Sequence, residues 1–247
     1  MSILSDNRPV DNLLTNDTEC RYINDMEIYH VLNRGVDKRQ IFMDEQDHFR
    51  FIHDLYEFND QERIETTFRN FRDYGSDGKI AKTKKKDKKP LVDILAFCLM
   101  PNHYHLMLSP RVEKGIPQFM QKVGMGYSKY FNQKHERSGT LFQGRYKSIL
   151  ITDNTHFLHL PFYIHFNPLD LIYPEWRENK ISDPKKAIEF LKSYRWNSHF
   201  DYLGIKNFPS VLNMKPLMEI FGSHNDYQKL VENYLKDIQI DPEITLE

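Results

Sequence analysis

Two apolar segments joined by a short turn lie in the middle of the chain. Residues 91–99 are strongly apolar, Met100-Pro101-Asn102 can turn the chain, and a second apolar segment covers residues 103–109. Short apolar runs bounded by a turn are typical of buried strands. The sequence therefore predicts a β-hairpin here, and any fold of this chain has to be built around it.

The second strand of this hairpin carries two histidines, His103 and His105, one residue apart. Alternate side chains of a strand point to the same face, about 7 Å apart at roughly 3.3 Å rise per residue, and Tyr104 between them points to the other face. Two imidazoles in this arrangement can hold one divalent metal ion, because histidine is the commonest metal ligand. Taken alone, the pair could equally be two hydrogen-bonded histidines on a half-buried strand.

Segments with strand or helix periodicity flank the hairpin on both sides. Alternation predicts strands at 27–33 and 146–152, and apolar spacings of three and four predict helices after Asp44, at 116–132 and at 154–167. The order β-α-β-β-α-β-α is the ferredoxin-like pattern with one extra helix. We therefore predict an α+β fold: a ferredoxin-like antiparallel sheet with helices on one face, the other face left for a site, and a C-terminal helical appendage.

Composition divides the chain into three parts. Residues 1–20 are polar and predict a disordered leader, and residues 21–172 form the main domain, with a lysine-rich insertion at about 60–90. A charge block of this kind is usually a solvated loop, and it can also bind nucleic acid. Residues 173–247 are predicted to form a helical C-terminal extension.

The sequence also excludes several classes of protein. No apolar run approaches the roughly 18 residues of a membrane span, and the first residues lack the layout of a signal peptide. The 247 residues include only two cysteines, Cys20 and Cys98, so a disulfide framework is excluded and a reducing compartment is expected. We therefore expect a soluble, cytoplasmic protein that does not act at a membrane.

Charge is unevenly distributed along the chain. The net charge is −1, but residues 111–147 contain eight lysines and arginines against two glutamates. A local basic patch, rather than the charge of the whole chain, marks a phosphate-binding surface. An ordinary solvated surface remains the alternative.

A second chemical signal follows in the predicted helix at 154–167. Tyr163 and Asn167 are four residues apart and would share one face of that helix. A phenol with a pKa of about 10 is a poor nucleophile at neutral pH, so a tyrosine that attacks a phosphate benefits from a nearby cation. Pro161 lies in the same segment, where it would kink the helix or mark its start. Tyr127 and Tyr130 in the basic region are rival nucleophiles, although Tyr127 fits the apolar stripe of its helix.

Four sequence blocks occur in the order typical of one known family. They are His30-Val31 with Asn33-Arg34-Gly35, Met100 through His105, Gly139 with Phe142 through Ser148, and Tyr163 through Pro168. On these blocks, the chain resembles the HUH single-tyrosine transposases, and most of all their REP-associated tyrosine transposase branch, which is IS200-like. The resemblance covers residues 27–204 and is interrupted by the lysine-rich insertion.

The resemblance implies a metal-dependent reaction on DNA. Carried over residue by residue, it makes His103, His105 and Asn167 the ligands of Mg²⁺ or Mn²⁺, and Tyr163 the nucleophile. The tyrosine would attack a DNA phosphodiester and give a 5′-phosphotyrosine and a free 3′-OH. Relatives act either as dimers that exchange the tyrosine helix or as monomers, so a homodimer is one of two open arrangements.

The predicted function is therefore metal-dependent cleavage and strand transfer of single-stranded DNA near a hairpin, as in transposition. Four cations are predicted to contact the DNA: Arg34, Lys129, Arg145 and Lys147. A basic groove with aromatic side chains suits unstacked bases. Two alternatives stay open, namely a domesticated protein that binds hairpin DNA without turnover, and a metal-dependent phosphoesterase with a water nucleophile.

Overall fold

The computed structural model describes residues 26–62, 88–178 and 180–236. The predicted leader over 1–20 and residues 63–87 of the predicted lysine-rich insertion lie outside the described residues. The described strands are β1 (Ile28–Arg34), β2 (Val92–Met100), β3 (His103–Pro110) and β4 (Lys147–Ile151).

The described helices fall into two groups along the chain. Those of the predicted main domain are α1 (Glu45–Glu57), α2 (Gly115–Lys134) and α3 (Asn154–Phe166). Those that follow are α4 (Pro184–Leu191), α5 (His199–Tyr202), α6 (Lys215–Phe221) and α7 (His224–Lys236). Short 3-10 helices lie at Val36–Lys38, Asn167–Leu171 and Trp176–Glu178.

The four strands form one sheet in the order β2-β3-β1-β4, and every neighbouring pair is antiparallel. The crossover from β1 to β2 contains α1, and the crossover from β3 to β4 contains α2, as in the ferredoxin-like pattern. The predicted α+β class and the ferredoxin-like antiparallel sheet are therefore confirmed.

Helices cover both faces of this sheet. α1 and α2 pack on one face in a core that includes Val31, Leu106 and Phe119, whereas α3 and the C-terminal helices pack on the other face. The prediction of helices on one face thus holds for α1 and α2, and it is corrected for α3. The physical reason is that β2 and β3 carry apolar side chains on both faces, and both faces are buried. Leu106 lies in the core under α1 and α2, and Met107 lies in the core under α3. Strands covered on both faces have continuous apolar sequences, as this hairpin has.

Residues 196–198 of the predicted C-terminal extension also pair with the outer edge of the sheet, along β2. The backbone N–H of Leu99 in β2 donates to the carbonyl of Trp196 at 2.8 Å, and that of Ser198 donates to Phe97 at 3.0 Å. The predicted extension is therefore joined to β2 by backbone hydrogen bonds as well as by its helices. Among the described residues, the longest helices are too short or too polar to cross a bilayer.

The helix α3 carries the predicted nucleophile and is almost completely buried. The side chain of Asp153 accepts a hydrogen bond from the backbone N–H of His156 and so caps the helix start. The helix then continues through Pro161 to Phe166, and every residue of 157–166 is buried. Pro161 therefore does not mark the start of the helix. Packing on the sheet and on the C-terminal helices offsets the backbone hydrogen bond that a proline cannot donate.

Candidate metal and phosphate-binding site

The two histidines of β3 lie together on the sheet face that α3 covers. Their ring centroids are 5.0 Å apart and the ring planes are nearly perpendicular, at 85°. His105 is fully buried, and His103 is 5% exposed. The same-face placement expected from the i, i+2 spacing is thus what the strand provides.

The neighbour of His103 determines which of its ring nitrogens carries hydrogen. The Nδ1 atom lies 2.6 Å from Oδ1 of Asn102, whose Nδ2 donates to the carbonyl of Lys38 at 3.2 Å. Because an amide oxygen only accepts hydrogen bonds, Nδ1 of His103 is the donor and Nε2 holds the lone pair. Nε2 is therefore the nitrogen of His103 that could bind a cation.

His105 uses the same ring atom in a contact with β1. Its Nδ1 lies 2.9 Å from Nε2 of His30, and the two rings stack with centroids 5.1 Å apart. His30 is also buried, at 1% exposed. Both histidines of β3 thus contact a neighbour through Nδ1. A histidine that binds a metal through one ring nitrogen usually forms a hydrogen bond to a neighbour through the other.

Tyr163 lies directly beside these imidazoles. Its ring centroid is 5.6 Å from that of His105 and 5.9 Å from that of His30, and both contacts are edge-on. The guanidinium of Arg177 lies over the tyrosine ring, 5.4 Å from its centroid. Tyr163 is only 1% exposed, so the fold brings the predicted nucleophile to the histidines but covers it well.

Asn167 follows α3 and is completely buried. Its Nδ2 donates to the carbonyl of Tyr163 at 2.8 Å, and its Oδ1 accepts from Nη2 of Arg177 at 3.2 Å. Arg177 in turn forms an ion pair with Asp170. The orientation of the amide is therefore fixed. Because a carbonyl oxygen has two lone pairs, Oδ1 could bind a cation while it still accepts from Arg177.

The chemistry of this donor set fits a divalent cation. Imidazole suits several divalent transition metals, and amide oxygen suits Mg²⁺ and Mn²⁺, so two imidazoles and one amide oxygen form a mixed set that leaves positions for phosphate and water. Within 26–62, 88–178 and 180–236, no group of three or more histidine, cysteine, aspartate or glutamate side chains could hold a metal. A third side-chain ligand beside His103 and His105 would therefore be of another type, and the amide oxygen of Asn167 is the one that the sequence predicts.

A cavity of about 290 Å³ opens beside His103. Three of the four predicted DNA-binding cations line it: Arg34, Arg145 and Lys147. Leu32, Asn33, Gln143 and Gly144 complete the lining. The fourth predicted cation, Lys129, is exposed on α2 and does not line this cavity. Positive charge thus surrounds the opening through which a phosphate would reach His103.

The loop before β4 is held against the end of β1 and forms one wall of this cavity. Backbone N–H groups of Gln143 and Val36 donate to Arg34 and Leu141 at 2.8 and 2.9 Å. Gly35 lies at the crowded point of this junction, where a Cβ atom would be 2.3 Å from the carbonyl of Arg39. Glycine is therefore needed at this position because of the close backbone approach.

A wider groove of about 470 Å³ continues from the cavity. The two share Asn33, Gly144 and Arg145, and the rest of the groove is mainly apolar and aromatic: Tyr104, Pro117, Met120, Gln121, Gly124, Met125, Phe142 and Tyr146. Met125 is 67% exposed at its rim. The surface beside His103 therefore passes from a cationic cavity into a groove suited to flat apolar groups.

The rival tyrosines lie elsewhere. Tyr127 is fully buried in the core formed by α1 and α2, where its hydroxyl donates to the carbonyl of Ile41 and burial raises its pKa. Burial, together with Asp47, raises the pKa of Tyr130 to about 12. Neither lines the cavity. Both tyrosines therefore serve packing between the two helices.

Two of the three histidines of α3, His159 and His165, contact residues of the predicted C-terminal extension and do not line the cavity. Nδ1 of His159 lies 2.6 Å from the hydroxyl of Tyr234. The two ring nitrogens of His165 lie 2.7 Å from the hydroxyls of Tyr227 and Ser198, and burial holds the pKa of His165 well below its usual value. These contacts fix α3 against the residues that follow it.

Residues 78–167 match the family model described as Transposase IS200 like. This match confirms, for residues 78–167, the IS200-like family predicted from the sequence blocks. No curated protein matches the chain. One solved structure to which the chain is similar is described as "Structure of the REP associates tyrosine transposase bound to a REP hairpin". It has 12% sequence identity and a TM-score of 0.44, and the match covers 76% of this chain and 85% of that one.

The IS200-like segment contains β2, β3, α2, β4 and α3, and with them His103, His105 and Tyr163. The match therefore places this part of the chain among the IS200-like transposases. β1 with His30 lies before the segment, and Arg177 lies after it. The sequence blocks included His30 without assigning it a partner, and no pattern in the sequence pointed to Arg177.

Proposed function

We propose that this protein cleaves and rejoins single-stranded DNA near a hairpin through a covalent bond to Tyr163. The observation that carries the proposal is the packing of Tyr163 against His105, beside a cavity that His103 shares with Arg34 and Arg145. A tyrosine packed against imidazoles, next to an opening lined by cations, suits phosphodiester cleavage.

In the proposed reaction the phenol oxygen of Tyr163 attacks the phosphorus of a DNA phosphodiester. A bond forms between that oxygen and phosphorus, and the bond from phosphorus to the 3′ oxygen breaks. The tyrosine loses a proton and the leaving 3′ oxygen gains one, which leaves a 5′-phosphotyrosine and a 3′-OH. A second strand's 3′-OH can reverse these steps and complete strand transfer.

His103, His105 and Asn167 would hold Mg²⁺ or Mn²⁺, which when bound polarises the phosphate and stabilises its developing charge. The cations of the cavity would hold the DNA backbone, and the groove beyond would hold an unstacked base. Lys129 would extend this path along α2. A homodimer and a cytoplasmic location stay predictions of the sequence.

The burial of Tyr163 favours one second candidate, a protein that binds hairpin DNA without cleaving it. At 1% exposure the phenol can meet a phosphate only if its surroundings move. In a binding protein this movement is not required, whereas the enzyme depends on it.

The deciding experiment is a search for a covalent adduct. The protein is incubated with Mn²⁺ and a labelled single-stranded oligonucleotide that carries a hairpin from the flanks of its own gene. We expect a DNA-linked protein band whose label maps to Tyr163, and its loss in Tyr163→Phe. Tyr56→Phe, a change on the remote helix α1, is the matched control and should leave the adduct intact.

The other outcomes separate the alternatives. Hairpin binding without an adduct, at any Mn²⁺ concentration, favours the binding protein. Cleavage that persists in Tyr163→Phe without an adduct favours a metal-dependent phosphoesterase that uses water. An adduct at Tyr127 or Tyr130 contradicts the choice of nucleophile.

A further inference from the structure

Two buried histidines from different strands share one hydrogen bond at the candidate metal site. Nε2 of His30 in β1 and Nδ1 of His105 in β3 are 2.9 Å apart, and the residues are 75 positions apart in the chain. One hydrogen lies between two nitrogens, so one histidine donates and the other accepts. Which of them donates decides which nitrogen of His105 carries a lone pair.

The two directions have opposite chemical consequences. If His105 donates from Nδ1, its Nε2 holds the lone pair and can bind a cation. If His30 donates from Nε2, the neutral His105 carries its hydrogen on Nε2 and cannot bind a cation through that atom. The direction of this hydrogen bond therefore decides whether His105 can bind a cation through Nε2, in addition to any contribution of the contact to packing.

His103 indicates which direction is used. The oxygen of Asn102 forces His103 into the form with hydrogen on Nδ1, so that Nε2 is its metal-binding nitrogen. The His105 ring lies on the same face of β3, 5.0 Å from that of His103, and it is also held through Nδ1. Two histidines that bind one cation from this face would both present Nε2.

We propose that His30 is a positioning residue that accepts the hydrogen of His105 Nδ1 and so holds His105 in its metal-binding tautomer. This inference rests on the proposed function, because it assumes that His105 binds a cation. His30 would act through His105 and would not contact the cation itself. Its stacking on His105, with ring planes 22° apart, also fixes the orientation of the ring.

The first test measures the tautomer in the metal-free wild-type protein. Long-range ¹H–¹⁵N correlation spectra of histidine-labelled protein distinguish a neutral ring with hydrogen on Nδ1 from one with hydrogen on Nε2. The signals of His105 are assigned by their loss in His105→Gln. We expect hydrogen on Nδ1 of His105, with His103 as the internal reference for the same form. Hydrogen on Nε2 of His105 would overturn the inference, and the tautomer itself is read from the wild-type protein, with no need for an active enzyme.

The second test measures Mn²⁺ affinity by calorimetry in two variants of His30. His30→Leu removes the acceptor, and we expect affinity to fall by roughly 10–100-fold, as for other lost outer partners of metal ligands. His30→Glu supplies an oxygen that only accepts, and we expect affinity close to that of the wild type. A purely structural role predicts that Glu, which buries a charge, is at least as harmful as Leu, and that result would overturn the inference.

Controls separate this inference from the proposed function. His224→Leu removes an exposed histidine at the start of α7 and should leave Mn²⁺ affinity unchanged. If the wild-type protein binds no Mn²⁺, the metal part of the proposed function is wrong, and the tautomer of His105 still supports or overturns the role of His30 by itself. If it binds Mn²⁺ and His30→Leu binds it equally well, the inference alone is wrong.

Discussion

The three cations of the cavity predict a specific salt dependence of DNA binding. Arg34, Arg145 and Lys147 line one opening, so one bound strand can place phosphates against all three. Each neutralised phosphate of a single strand releases counterions and contributes about −0.7 to the slope of log affinity against log salt. Replacement of all three by glutamine should therefore make the slope shallower by about 2. Between about 50 and 200 mM salt, the wild-type protein should lose roughly 20-fold more affinity than the triple variant.

The assay is fluorescence anisotropy of an end-labelled single-stranded oligonucleotide in buffer without divalent metal, titrated at several salt concentrations. Lys215→Ala is the matched control, because its side chain is 81% exposed on α6, outside the lining of the cavity and of the groove. Lys129→Ala shows how far the bound strand extends, since a slope shallower by about 0.7 would add α2 to the DNA path. An unchanged slope in the triple variant would refute the assignment of the cavity to DNA.

Three further predictions concern the metal site, the groove and the stability of the fold. Alanine at His103 or His105 should weaken Mn²⁺ binding by at least 10–100-fold in calorimetry, and unchanged affinity in the double variant would contradict the metal assignment. Met125→Glu, a change at the rim of the groove, should reduce the affinity for single-stranded DNA. It should also reduce the fluorescence quenching of a 2-aminopurine base that stacks in the groove. Leu150→Glu, a change at another exposed apolar residue, is the control and should reduce the quenching less. Burial lowers the pKa of His199 to about 3. The unfolded chain therefore binds one more proton than the folded chain below pH of about 6.5, and stability should fall by up to roughly 1.4 kcal/mol per pH unit from there toward pH 3. Thermal melts of the wild type and His199→Gln test this, and equal acid sensitivity in both would contradict it.

The parts of the site that the sequence predicted are those set by local geometry. The i, i+2 spacing of His103 and His105 determines a shared face as soon as the segment is a strand, and the hairpin follows from two apolar runs around a turn. The i, i+4 relation of Tyr163 and Asn167 likewise needs only a helical turn. These features depend on few residues, so they could be recognised without knowledge of the rest of the fold.

The sequence could not predict which partners these residues meet across the sheet and the core. The contact between His30 and His105 depends on the register of β1 against β3, in which Leu32 lies opposite His105 and His30 reaches it diagonally. The sequence also did not predict that α3 covers the second face of the sheet, for a related reason. Residues 157–166 are apolar on all sides apart from two histidines, a pattern typical of a buried helix, and it does not tell which face of the sheet the helix covers.

Two residues outside the IS200-like segment form hydrogen bonds with side chains of the proposed site inside it. His30 contacts the ring of His105, and Arg177 accounts for one of the two hydrogen bonds that orient the amide of Asn167. Both partners come from parts of the chain that flank residues 78–167, so the segment carries the proposed reactive groups without these two contacting residues. A protein cut to this segment would also lose β1, the strand between β3 and β4. Full activity should therefore require the strand before the segment and the residues after it, because the site is assembled from all three parts of the chain.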